Sequence, residues 1–356
     1  MSSYNLIGLM SGTSMDGLDI VNVQFNLSES NEWSFNLNHS LTVVYSENLL
    51  NKLNSSKQLS AVELLLLDKE LGLFFSTAVN NFIEEYQLNR GYIDAICSHG
   101  HTIFHQPENG FTHQIGCGET IAFHTGIKVI NDFRQKDVVA GGQGAPLVPI
   151  GDKLLFKNQA DAFLNIGGFA NVCYPSDNTK AYDICPGNLP LNHFAKKQGQ
   201  DFDFNGEMAR VGNLNQTLLH DLNTLSFYSQ EGPKSLGTEW LENKFMPHLE
   251  SSFSNNDIMN TLVEHICIQI AADLNKMKTN SLFITGGGAK NAYLIERLKT
   301  YFHGKVIIPD DTIIDFKEAL IFGFLGALYL NNQPNSLSSV TGAKKDAIGG
   351  VLHLPS

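Results

Sequence analysis

Nine consecutive positions, Ser11-Gly12-Thr13-Ser14-Met15-Asp16-Gly17-Leu18-Asp19, hold three hydroxyls, two glycines and two carboxylates. Gly12 and Gly17 permit positive φ and let the backbone approach a ligand closely. Ser11, Thr13 and Ser14 supply donors, and successive backbone N–H groups in such a turn form an anion-binding nest. Asp16 and Asp19 would repel a bare phosphate but suit Mg²⁺, directly or through water. The chemistry on offer is phosphate binding with a divalent cation. The same composition also makes an ordinary hairpin loop.

Other candidates follow along the chain. Val129-Ile130-Asn131 reads as a strand delivering Asp132 and Arg134 to a long Gly/Pro loop, residues 140 to 149. Long ordered loops are usually functional. Arg134 can grip a carboxylate or phosphate bidentately, or pair with Asp132 or Asp137. Asp183 stands at the end of a short strand, before the turn Pro186-Gly187-Asn188. There it faces a cleft or caps the turn. Gly286-Gly287-Gly288 lies between strand and helix, where a planar ring or a phosphate can rest on the backbone. Lys234 reads as a surface or capping group. His99, His101, His105 and His113 lack a Cys or carboxylate at ligand spacing, so hydrogen-bonded loop roles suit them better than zinc.

The elements that must position these groups are legible from periodicity. The first turn joins two apolar runs, the second alternating from Ile20 to Phe25, so it is strand-turn-strand. That excludes a Walker A loop and a Rossmann fingerprint, which both need a following helix. Residues 33 to 45 read as a further strand and 59 to 87 as a helix, with Leu64 to Leu67 expected to be buried. Ile93 to Ser98 reads as a buried strand ending in a turn at His99-Gly100-His101-Thr102. Asp161 to Val172 repeats the strand, Gly turn, strand pattern around Gly167-Gly168. Two such hairpins, each opening a half of similar size, point to a duplicated fold with a cleft between the copies. Ile258 to Met277 is a helix, Val306 to Ile308 a strand, and Phe316 to Leu330 a helix with Glu318 in its first turn. The tail reads as irregular.

The chain has 356 residues, enough for two cores, with 24 Lys+Arg against 36 Asp+Glu and a net charge of −12. No basic patch is visible, which argues against nucleic acid. No apolar run is long enough to span a bilayer, and the N-terminus has no signal-peptide pattern. The five cysteines contain no C-x-x-C and read as reduced thiols of a cytoplasmic protein.

Three glycine turns in this order, at 12 to 17, 167 to 168 and 286 to 288, resemble the sugar kinase/Hsp70/actin superfamily. Within it, Gly8 to Asp19 is similar to the signature of the anhydro-N-acetylmuramic acid kinases. So are Ser98-His99-Gly100-His101-Thr102, Asp132-Phe133-Arg134, Gly141 to Pro149, Asn165-Ile166-Gly167-Gly168, Pro233-Lys234-Ser235 and Gly286 to Asn291. The resemblance runs nearly end to end.

It implies a two-domain α/β fold of duplicated ribonuclease H-like type with a central cleft. The first actin-like ATPase domain would hold residues 1–134 plus about 332–356, and the second 135–331. It implies an enzyme that opens the 1,6-anhydro bond of anhydro-N-acetylmuramic acid and phosphorylates O6 from ATP, with Mg²⁺, in cell-wall sugar recycling. Asp183 falls on the family's base. Gly12, Thr13, Ser14, Met15, Asp16, Gly17, Leu18 and Asp19 fall on the ATP loop, with Asp16 and Asp19 expected to hold Mg²⁺ through water. Gly167, Gly168 and Asn171 are further expected ATP contacts, as are Gly286, Gly287, Gly288 and Asn291. Thr102, Arg134 and Glu318 fall on sugar-holding positions. A homodimer is expected. The family's Asp-Thr-Gly-Pro-Gly-Asn is here Asp183-Ile184-Cys185-Pro186-Gly187-Asn188, and its later acid is Asn192. These departures bear on sugar specificity more than on reaction type. A kinase for another anhydrosugar, such as levoglucosan, and a non-catalytic ATP-binding regulator are the alternatives.

Overall fold

A computed structural model describes residues 2–12, 15, 17–230, 233–249 and 253–355. The chain divides into two compact units, Met1–Leu155 with Phe316–Ser356, and Phe156–Asp315. These bounds differ from the expected ones, since 135–155 and 316–331 belong with the first unit. Close packing explains this. Gly151 abuts Ile321, a buried ion pair joins Lys317 to Asp152 at 2.6 Å, and the Asp311–Leu330 helix lies against Gly8.

In the first unit, β1 (Ser2–Ser11), β2 (Leu18–Leu27) and β3 (Trp33–Val43) form an antiparallel meander. β4 (Ala95–Gln106) and β6 (Val129–Asn131) extend it in parallel beyond β1, and β5 (Phe111–Ile115) folds back on β4. In the second unit β7 (Ala162–Ile166), β8 (Phe169–Tyr174) and β9 (Lys180–Pro186) form the meander, and β10 (Ser281–Thr285) and β11 (Lys305–Ile307) the parallel extension. The orders β3-β2-β1-β4-β6 and β9-β8-β7-β10-β11 are the same topology twice. β12 (Val351–His353) adds an antiparallel edge to β6, so the tail ends in a strand rather than irregularly.

Central strands are buried on both faces and therefore run apolar, as in Leu6, Ile7 and Leu9. The Ala61–Glu85 helix opens on a capping box between Ser60 and Glu63. Leu67, Leu71, Phe75, Val79 and Phe82 face the core. The expectation for Leu64 to Leu67 fails for Leu65 and Leu66, which are 62% and 64% exposed. At 100° per residue they fall on the side away from Leu67 and Leu71. The Asp311–Leu330 helix starts five residues earlier than expected, with Asp310 accepting from the Ile313 N–H at 2.9 Å. Glu318 therefore lies well inside it, not in the first turn. Among the described residues no helix is long and apolar enough to cross a membrane.

Gly8 marks the tightest contact of that helix with β1: a Cβ there would lie 2.1 Å from the Ala319 carbonyl oxygen. Gly8→Val should therefore destabilise the protein by about 2 kcal/mol or more, read as a lowered denaturation midpoint. An unchanged midpoint would mean the helix does not seat on β1 as described.

Candidate functional site

The second unit holds Asp183 in the middle of β9, not at a strand end. Its partner on β8 is Asn171, and Asn171's other neighbour in register runs through Asn165 on β7 to Thr285 on β10. Residues in register share a face of the sheet. Thr285, Asn165, Asn171 and Asp183 thus form one polar row. A register shift follows, because Cys185 pairs with Ala170, which leaves Ile184 as an extra residue.

Asp183 is anchored by the segment 234–236. Its N–H donates to the Lys234 carbonyl at 2.9 Å. Its Oδ2 accepts from the Leu236 N–H at 2.8 Å and from the Ser235 hydroxyl at 3.2 Å. Oδ1 has no protein partner among the described residues. Burial raises the carboxyl above its ordinary range, and the two hydrogen bonds from Leu236 and Ser235 work against that rise. Lys234 is half-buried and points elsewhere, donating to the Phe227 carbonyl at 3.1 Å and lying 4.3 Å over the Phe227 ring. It is a capping group, as one of its two readings had it. Sequence reasoning quoted Ser235 only within a motif and missed its role and that of Leu236. Nothing local marks a residue some fifty positions away as the partner.

The glycines divide by what surrounds them. Gly286 has φ +80°, and a Cβ there would meet Asn165 Oδ1 at 2.5 Å. A Cβ at Gly288 would meet Ile166 at 2.3 Å. Both are required by the protein's own packing. A Cβ at Gly167 or Gly287 would make only ordinary contacts, with nearest neighbours at 3.4 and 3.6 Å. Asn188 links them: its N–H donates to Gly167 O at 2.8 Å, and its side chain lies beside Gly287. The protein's own packing does not require a glycine at either position, which leaves Gly167 and Gly287 as the candidates for a ligand-facing role. Gly168 packs on Leu189, and its carbonyl accepts from Gly187. Asn291, an expected ATP contact, caps the Ala292–Tyr301 helix, its side-chain oxygen accepting from Leu294 N–H at 3.0 Å.

In the first unit, Thr13, Ser14 and Asp16 lie outside the described residues. Around them, Met15 N–H donates to Gly12 O at 3.2 Å and Leu18 starts β2. Gly17 is a glycine because a Cβ would come within 2.8 Å of the Val43 carbonyl. Asp19 lies opposite Thr42 and accepts its hydroxyl at 2.6 Å. The Ser11 hydroxyl is buried and engaged by Tyr45 at 2.6 Å and His101 Nδ1 at 2.8 Å, so it is not a phosphate donor. β4 does not turn at Gly100. It runs on to Gln106, and Gly100 takes φ +74° where two steps of β1 span three of β4. Thr102 accepts from Gln114 at 3.3 Å.

Arg134 pairs with neither Asp132 nor Asp137 in the expected way. Its Nε donates to His99 Nε2 at 3.0 Å, its Nη1 to Gly144 O at 2.9 Å, and its guanidinium lies 5.7 Å over Phe322. Asp137 instead accepts from Gly144 N–H and the Thr341 hydroxyl. Burial lowers Arg134 to about 10, opposed by the charge of Glu318, so it stays cationic at neutral pH. His105 bonds Thr112 at 3.0 Å. Among the described residues no group of three or more His, Cys, Asp or Glu could hold a metal ion.

Two sheets of one topology, each opening on a glycine-turned hairpin, define the duplicated ribonuclease H-like class of the sugar kinases, Hsp70 and actin. The chain belongs to the anhydro-N-acetylmuramic acid kinase family, whose profile matches residues 4–355. Three proteins bearing that name illustrate the relationship. The one from Shewanella denitrificans is 39% identical over 97% of this chain and 96% of its own. The one from Sulfurovum is 37% identical over 99% of each. The one from Haemophilus influenzae is 38% identical over 99% of this chain and 98% of its own.

The two kinds of glycine should separate experimentally. Gly288→Ala should lower the melting temperature by several degrees, from a Cβ driven into Ile166. Gly287→Ala and Gly167→Ala should leave it unchanged and weaken nucleotide binding in calorimetry. Equal thermal losses in all three would remove the ligand-facing assignment.

Proposed function

We propose that the protein opens the 1,6-anhydro ring of anhydro-N-acetylmuramic acid with water while transferring the γ-phosphoryl group of ATP to O6. The products are N-acetylmuramic acid 6-phosphate and ADP. The observation that carries this is Asp183: a half-buried carboxylate, fixed through Oδ2, with Oδ1 unpartnered among the described residues and its affinity for a proton raised.

An anhydrosugar has no O6 hydroxyl, so a kinase base has no proton to take there. The C1–O6 bond breaks, O6 receives the phosphoryl group, and water supplies the new oxygen at C1. Asp183 accepts that water's proton at Oδ1, while Leu236 and Ser235 hold the carboxylate in place. A positioned base of this kind contributes about 10²–10⁴-fold. Arg134 meets the lactyl carboxylate of the sugar, and Thr102 and Glu318 contribute to the same sugar site. Each unit offers nucleotide contacts of its own, Gly12 to Asp19 in the first and Gly167 and Gly287 in the second. Asp19, already bonded to Thr42, suits a water-mediated contact to Mg²⁺, which ordinarily keeps several waters beside phosphate. Bound Mg²⁺–ATP supplies the electrophilic phosphorus and the charge neutralisation of transfer. The five free thiols fit a cytoplasmic setting.

Asp183→Asn keeps the shape and removes the basicity. It should still bind ATP and sugar but lose turnover by about 10²-fold or more. In ¹⁸O-labelled water the label should enter at C1; label in the phosphate, or near-normal turnover by the variant, would overturn the mechanism. The base must be ionised to act and its folded pKa is raised. The wild-type kcat/KM should therefore fall with decreasing pH through a limb lying above the ordinary carboxylate value of 3.8.

We also propose a homodimer through the Ala61–Glu85 helix, whose outer face carries Val62, Leu65, Leu66 and Leu73 exposed. Leu65→Glu with Leu66→Glu should shift the mass seen in light scattering from two chains to one. A dimer that persists would place the interface elsewhere.

A further inference from the structure

Arg134 presents five N–H groups, of which Nε is committed to His99 and one on Nη1 to Gly144. The edge formed by Nε and Nη2 is therefore closed to a ligand. Nη2 and the second proton of Nη1 remain.

We infer that His99 is a positioning residue: its Nε2 lone pair fixes the Arg134 guanidinium so that only the Nη groups face an anionic substrate. This rests on the reading of Arg134 given above and extends it to the residue that aims it.

Several observations point the same way. His99 Nε2 can accept from Arg134 only if the ring is neutral, with its proton on Nδ1. The ring is 6% exposed, and burial first, with the adjacent Arg134 charge second, pushes it well below the usual imidazole range. Its Nδ1 is buried with no well-aligned hydrogen-bond partner among the described residues, and the Gly100 and Ser11 backbone beside the ring favours its holding a proton. Phe322 neighbours both groups, with the His99 ring centroid 4.5 Å away and the Arg134 guanidinium 5.7 Å over its ring. Glu318 lies one turn before Phe322 on its helix and acts electrostatically on Arg134. The guanidinium is thus fixed at one edge, neighboured by Phe322 and backed by one carbonyl. This matters because misplacing a binding group by 1 Å can cost about 10²-fold.

His99→Met keeps apolar bulk and removes the acceptor, whereas His99→Gln restores an oxygen at similar reach. Both are compared with Arg134→Ala on anhydro-N-acetylmuramic acid and on its analogue without the lactyl group, after melting curves confirm folding. His99→Met should raise KM for the carboxylate sugar about tenfold or more, with kcat little changed and the analogue unaffected. His99→Gln should recover most of that loss. In NMR of the ¹⁵N-labelled protein without substrate, the Arg134 Nε–H resonance should be slow to exchange in wild type and His99→Gln and lost in His99→Met. An unchanged resonance in His99→Met overturns the inference. So does an equal KM rise on both sugars while Arg134→Ala discriminates between them. If Arg134→Ala fails to discriminate but the resonance still depends on His99, the carboxylate reading falls and the positioning stands.

Discussion

A carboxylate that takes a proton from water has to be held still without being neutralised. Asp183, the proposed base, meets that demand largely through backbone partners. Its N–H is tied to the Lys234 carbonyl and its Oδ2 to the Leu236 N–H, so the strand and the 234–236 segment are fastened by one main-chain and one side-chain group of a single residue. Lys234 could have supplied a full positive charge beside it and driven the pKa down. Its ammonium instead goes to Phe227. Burial then outweighs two hydrogen bonds and the carboxyl rises. Were that segment displaced, Asp183 would lose both its aim and its tuning.

The sheet supplies the rest of the geometry. Register carries Thr285, Asn165, Asn171 and Asp183 along a single line across four strands. The extra residue at Ile184 then breaks the alternation immediately after Asp183, so Ile184 and Cys185 are both buried. Where the resemblance implies a smaller, more polar Thr-Gly pair, this chain has two core side chains. The substitution therefore lies beneath the row, not in it, and the register of Asp183 is kept.

The first unit solves a different problem, burying several polar groups in one strand. β4 is buried from Ala95 to His101, although it carries Ser98, His99 and His101. Ser11, itself receiving the Tyr45 hydroxyl, bonds Nδ1 of His101, and Arg134 satisfies one nitrogen of His99. The positive φ of Gly100 takes up the extra residue relative to β1. Unpaired groups inside a protein cost free energy, so a strand composed this way is held by its neighbours rather than by its own propensity.

Periodicity and turn chemistry in the sequence determined the duplicated architecture. Two glycine hairpins, a later glycine turn between strand and helix, and long apolar-periodic helices needed only local information, and each is present. Asp183, Arg134 and the glycine segments were likewise marked by type and spacing. What the sequence could not decide was non-local. It placed Leu65 and Leu66 inside, because an apolar run does not say which arc of the helix meets the core. It ended a strand at Asp183 and turned another at Gly100, because bulges depend on the partner strand. It treated Gly286, Gly287 and Gly288 alike, although Ile166 and Asn165 claim two of them. For Arg134 it offered a ligand or nearby acids as partners, whereas the side chain bonded to its Nε lies 35 positions away, and the N–H that anchors Asp183 lies 53 away. Side-chain partners at such separations are set only when strands and helices pack, since hydrogen bonding depends on distance in space rather than along the chain.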